Sequence, residues 1–171
     1  AAAAAGGSQT SIDIFHAKDL KARSATLAHQ ASLPLIATEA AVPTQRSTED
    51  RGMVVHSATA IKTHRQSGVL VGGTLLNRNL NFIDTINALV YRAKGSDRQG
   101  TATLFLEDVR ISTNVRLFED VRALGTRVSA AVRSRVLDEG LTWLDRAFVV
   151  NDWYISGYQP ITDSFGNRVG M

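Results

Sequence analysis

Two arginines set among strand-forming residues carry most of the chemistry open to this sequence. Arg110 begins the run Arg110-Ile111-Ser112-Thr113-Asn114-Val115, and Arg146 precedes Ala147, Phe148, Val149 and Val150. A guanidinium in an apolar strand either lies at an exposed edge or bonds an anion, because a buried unpaired charge is costly. Asp145 and Asp152 are available as ordinary structural partners for Arg146, and the face of a solvated hairpin is the plain reading of Arg110. Thr113 and Asn114 add donors to the first run. Further on, Trp153, Tyr154 and Tyr158 fall close together, and strand alternation puts Tyr154, Ser156 and Tyr158 on one face and Trp153, Ile155 and Gly157 on the other. Such aromatic stripes are ordinarily core, yet beside arginines they are also what a small anion pocket would use.

Other chemistries find less support. The four histidines, His16, His29, His56 and His64, are dispersed and none has metal-ligand spacing. Gly68, Gly72 and Gly73 match neither the dinucleotide nor the P-loop pattern, and no serine stands in a Gly-x-Ser-x-Gly elbow. Glu107, Asp108, Asp145, Asp152 and Asp163 sit at expected turns, where acids bond locally. No catalytic residue, metal ligand or cofactor is assigned. The absence of cysteine removes disulfides and thiolate chemistry. With 19 basic and 16 acidic side chains interspersed, the net charge of +3 forms no stripe suited to nucleic acid. No run of about 18 apolar residues spans a bilayer.

The elements that must position these residues fit one core within 171 residues. Ala1 to Gly7 reads as a remnant or placeholder, and residues 8–50 as a long amphipathic N-terminal helix with its linker. Leu20, Ser24, Leu27 and Ala31 stripe one helical face, Pro34 interrupts it and Pro43 ends it. Gly52 to Ile61 and Val69 to Leu76 read as strands around a polar loop, with helix a second reading of the first because its alanines suit either state. Asn77 or Asn79 caps a helix with Leu80, Ile83, Ile86, Leu89 and Val90 on one face, stopped by Lys94 to Asp97. Thr101 to Leu106 and Val109 to Val115 form a hairpin. Thr126 caps a helix ending at Gly140, with Val128, Val132 and Val136 on its inner face. Strands over Thr142 to Asn151 and Trp153 to Thr162 follow, then a turn at Asp163 to Gly166 and a last strand from Asn167. Antiparallel strands with crossing helices make an α+β fold.

Gly100-Thr101-Ala102-Thr103-Leu104-Phe105, the Arg110 to Val115 run, Ala123-Leu124-Gly125-Thr126-Arg127-Val128-Ser129, and Trp153 to Ile161 with Arg168-Val169-Gly170-Met171 occur in a telling order. In these words the chain resembles the Cache family of extracytoplasmic sensor domains, PAS-like modules of bacterial chemoreceptors and sensor histidine kinases. The resemblance implies a single Cache module over 51–171, with a PAS-like antiparallel sheet beneath the N-terminal helix. It further implies a periplasmic domain of an inner-membrane protein, held by flanking membrane helices, the second beginning soon after Met171. Its ligand would be a small organic acid such as acetate, bound by Arg110, Thr113, Asn114, Arg146, Trp153, Tyr154 and Tyr158, which match pocket-region positions. A homodimer through the Leu20 and Leu27 face is expected in the intact receptor. The rival readings are a PAS-like dimerisation or protein-interaction module without a small ligand, marked by an exposed apolar face and no polar cavity, and, more weakly, a small hydrolase.

Overall fold

A computed structural model describes residues 7–62, 67–91, 100–150 and 152–171. The loop residues 63–66, among them His64, and the expected helix stop at Lys94 to Asp97 lie outside the described residues. The expectation of a long N-terminal helix is overturned. Ser8–Phe15 is a strand, β1, followed by the short helices α1 (Ala17–Arg23) and α2 (Ala25–Ala31). Two local features account for the difference. Thr10, Ile12 and Ile14 alternate with Ser11 and Asp13, the period of a strand, and β-branched residues favour that state. Ser24 is extended, at φ −165° and ψ 131°, and divides α1 from α2.

β1 pairs antiparallel with β4 (Gly52–Lys62), which pairs with β5 (Ser67–Leu75), giving a three-stranded sheet. Between them β2 (Leu33–Pro34) and β3 (Thr48–Glu49) form a short ladder. Helix α3 (Leu80–Val90) starts as expected, with the Asn79 side chain accepting from the Phe82 N–H at 3.2 Å. Its buried contacts come from Ile83 and Asn87, whereas Leu89 and Val90 are exposed.

The second half contains β6 (Thr103–Leu106), β7 (Val109–Thr113), β8 (Arg116–Phe118) and β9 (Val121–Arg122). Helix α4 (Ala130–Arg133) runs into a π-helical turn, Ser134–Asp138. The chain then forms β10 (Trp143–Val149), β11 (Asp152–Tyr158), β12 (Ile161–Thr162) and β13 (Arg168–Gly170). A four-stranded sheet has the order β12-β13-β6-β7, and β10 and β11 make a separate hairpin. The antiparallel α+β character holds. The cap of α4 is Ser129 rather than Thr126, and Gly140 follows the π turn at φ +76°. Val128, Val132 and Val136 all turn inward, as their spacing predicts.

Both faces of β7 are covered, so all of its residues are buried. Val109 and Ile111 join Leu33, Met53, Leu76 and Leu106 in a cluster with partly buried Ile12 and Ile14. A second cluster surrounds Phe105, Val128, Val132, Val136 and Ala147. A third unites Leu20, Ala31 and Leu75, with Leu27 packed against it. Of the Leu20 and Leu27 face expected to form a dimer contact, Leu20 is buried within the chain and Leu27 is half-buried against it.

Asn77 ties the end of α2 and the start of β4 to the turn before α3. Its side chain accepts from the Met53 N–H at 2.9 Å and donates to the carbonyls of Ala31 at 3.2 Å and Arg51 at 3.0 Å, with no exposed surface. Removing it leaves buried backbone groups without partners, each worth about 1–3 kcal/mol. Asn77→Ala is expected to lower the unfolding free energy by about 2 kcal/mol in urea denaturation, with an unchanged dependence on denaturant concentration.

Candidate functional site

Arg110 is the buried charge around which the site is built. Its position on β7 turns it away from Val109 and Ile111 and over the Phe105 ring, with its guanidinium carbon 5.1 Å from the ring centroid. Gly125 and Thr126 lie along the edge of β7: the Arg110 N–H donates to the Thr126 carbonyl and the Gly125 N–H to the Arg110 carbonyl, both at 2.9 Å. Gly125 has φ +80°, and a Cβ there would lie 2.1 Å from the Pro34 carbonyl oxygen, so only glycine permits this approach. The result places the Thr126 hydroxyl on Arg110. Arg110 Nη1 donates to Thr126 Oγ1 at 2.8 Å, and that hydroxyl donates to the Ala123 carbonyl at 2.8 Å.

No carboxylate pairs with Arg110 among the described residues, and its Nε is buried without a hydrogen-bond partner. The side chain is only 3% exposed. Burial pulls its pKa down to about 10, partly opposed by Tyr158, so the guanidinium is still charged at neutral pH. Burial pushes the Tyr158 hydroxyl up, against the Arg110 charge and a hydrogen bond with Ser156. The Tyr158 ring also lies 6.0 Å from Phe105.

These two side chains line a cavity of about 480 Å³ with Thr101, Thr103, Tyr154, Ser156 and Gln159. Leu104, Val149 and Met171 supply part of its apolar wall. It can hold a small molecule whose anionic end meets Arg110 and whose polar substituents meet hydroxyl and amide groups.

Of the expected site residues, Arg110, Tyr154 and Tyr158 come together here. Thr113 and Asn114 lie elsewhere in the packing. Thr113 Oγ1 bonds Thr103 Oγ1 at 2.7 Å and accepts from the Val115 N–H at 3.0 Å, while Asn114 Oδ1 accepts from the Ala102 N–H at 2.8 Å. Both fasten β6 to β7. Arg146 and Trp153 are exposed, on the hairpin face opposite to Tyr154 and Tyr158; Arg146 pairs across the ladder with Ile155. The sequence reading missed Phe105 and Thr126 as the side chains that hold Arg110. The signal for Thr126 was the preceding Gly125, which marks a close backbone approach rather than a helix start.

A family model described as Single cache domain 3 matches residues 74–171. The chain belongs to this family. No curated protein and no solved structure matches the chain. Cache domains are sensor modules, typically extracytoplasmic, that bind small ligands. In this Cache domain the matched span includes Arg110 and every residue named above as lining the cavity. β1, α1, α2, β2, β3 and β4 lie outside it.

Proposed function

We propose that this Cache domain is the periplasmic ligand-binding part of a transmembrane receptor, a chemoreceptor or sensor histidine kinase, and that it binds a small organic acid. The observation that carries the reading is Arg110: a buried guanidinium on a cavity wall, without a carboxylate partner among the described residues. A ligand carboxylate would complete that charge, with Tyr158 and Tyr154 fixing its orientation. Binding would favour one arrangement of β10, β11 and β13 against the N-terminal elements, biasing a movement passed towards the membrane. Leu144 and Ile155 form an exposed apolar face on the outside of the β10–β11 hairpin, which favours a protein contact there as a second reading. The polar cavity makes the ligand sensor the better of the two.

A ligand of four heavy atoms has a ceiling near 6 kcal/mol, which corresponds to a dissociation constant of tens of micromolar. Thermal unfolding against a panel of mono- and dicarboxylates, amino acids and purines tests the reading. At a hundred times its dissociation constant, a binding acid adds about 2.7 kcal/mol, raising the midpoint by roughly 5–10 °C. A shift confined to acids supports the proposal, and a flat panel overturns it. Thr126→Val removes the acceptor that orients Arg110 while keeping side-chain volume. It is expected to weaken acid binding about tenfold by calorimetric titration, a loss near 1.4 kcal/mol.

A further inference from the structure

A second cavity, of about 470 Å³, shares Arg110 and Tyr158 with the first and no other lining residue. Those two side chains therefore partition the space. The roof of the second cavity is the segment Ile36–Ala40, which lies outside the family match. This segment is fastened to the Cache core at both ends: the Ile36 N–H donates to the Gly125 carbonyl at 2.9 Å, and the Ala40 carbonyl accepts from the Ala130 N–H at 2.8 Å. Between them, Thr38 Oγ1 accepts from the Arg127 N–H at 3.1 Å.

The chemistry of this compartment differs from that of the first. Its walls include Ile36, Ala37, Leu117, Val128 and Val150 beside Thr38, Thr126 and Ser129, so apolar surface is a larger share of its lining than of the first cavity's. The other lining cation, Arg127, is already paired with Asp108 at 2.6 Å. Glu39, exposed and also on the lining, would repel a second ligand carboxylate. Resting on the reading of Arg110 as an anion partner, we infer that the cavity beneath Ile36–Ala40 is a second ligand compartment, which takes a monocarboxylate with a short apolar tail. It competes with the first compartment, because one buried guanidinium neutralises one carboxylate and a second would meet its like charge. The first compartment, with Thr101, Thr103, Ser156 and Gln159, suits a hydroxylated or dicarboxylic acid.

Calorimetric titration with valerate and malate tests this. Both acids should bind the parent protein, and malate at ten times its dissociation constant should raise the apparent dissociation constant of valerate about elevenfold. Ala37→Trp fills the second cavity from its roof and should abolish valerate binding while leaving malate binding in place. Thr101→Trp fills the first and should do the reverse. Valerate binding that survives Ala37→Trp, disappears in Thr101→Trp, or is indifferent to malate overturns the inference. The competition in the parent protein and the Thr101→Trp result decide the question even if Ala37→Trp does not fold. A parent that binds malate but not valerate overturns this inference alone. One that binds neither overturns the reading of Arg110 as well.

Discussion

Replacing Arg110 by methionine is expected to abolish stabilisation by carboxylates while leaving the ligand-free protein at least as stable as the parent. Most substitutions of a fully buried residue lower stability, so an outcome of this sign separates a charge kept for binding from one kept for folding. In the ligand-free protein the guanidinium has been taken from water and, among the described residues, has no carboxylate in return, only Thr126 and the Phe105 face. Desolvation of an ion costs several kcal/mol, and exchanging buried charges for apolar side chains of similar volume is often neutral or stabilising by about 1–4 kcal/mol. Methionine keeps the length and flexibility needed to cover Phe105. Its one structural cost is the Thr126 hydroxyl, which retains its bond to Ala123. Urea denaturation with and without a binding acid measures both effects together. A destabilised Arg110→Met protein that still responds to acids would assign Arg110 to the fold and remove it from the site.

The second large effect concerns Glu49. This carboxylate is 1% exposed, and it accepts from Arg51 Nε at 2.8 Å, from Arg51 Nη2 at 2.7 Å, from the Arg51 N–H at 3.1 Å and from Arg46. Arg51 also reaches Glu107 at 2.7 Å, in the β6–β7 turn, so Glu49 anchors a link between the N-terminal elements and the Cache core. Glu49→Ala is expected to cost about 3 kcal/mol, since it removes charged hydrogen bonds and leaves the Arg51 N–H without its acceptor, while the Arg51 guanidinium, partly exposed, keeps Glu107. Burial raises the Glu49 pKa, but hydrogen bonds and charge from Arg51, with Arg46, more than offset it and hold the group below its ordinary 4.5. Because the folded value lies below the unfolded one, this contribution is complete above about pH 4.5 and is lost as pH falls through the lower folded value. Glu49→Gln should accordingly flatten part of the acid limb of stability against pH. An acid limb identical to the parent's would show that Glu49 is not linked to folding.

The contrast between Glu49 and Arg110 rests on partners. Both are buried charges, yet Glu49 is saturated with donors from its own chain, whereas Arg110 has, among the described residues, one neutral acceptor and a ring face. The first pattern builds structure. The second leaves bonding capacity for something outside the chain.

The local elements of the second half were legible because each is determined over a few residues. The β6–β7 hairpin, the inward valines before Gly140 and the Asp163 to Gly166 turn follow from alternation, helical spacing and turn chemistry. The family itself could be recognised from motifs whose order survives in the sequence. The N-terminal half was misread because alanine, leucine and charge suit a helix over any window. Only pairing of β1 with β4 rewards the strand period hidden in Thr10, Ile12 and Ile14. Sequence alone also brought Arg110, Tyr154 and Tyr158 forward as chemically suited to an anion. Their grouping, and the separation of Arg146 and Trp153 from them, came from the tertiary structure. Alternation tells which residues share a strand face, but whether that face meets a cavity or solvent depends on what packs across it, and here that is set by distant segments such as Gly125–Thr126 and Ile36–Ala40.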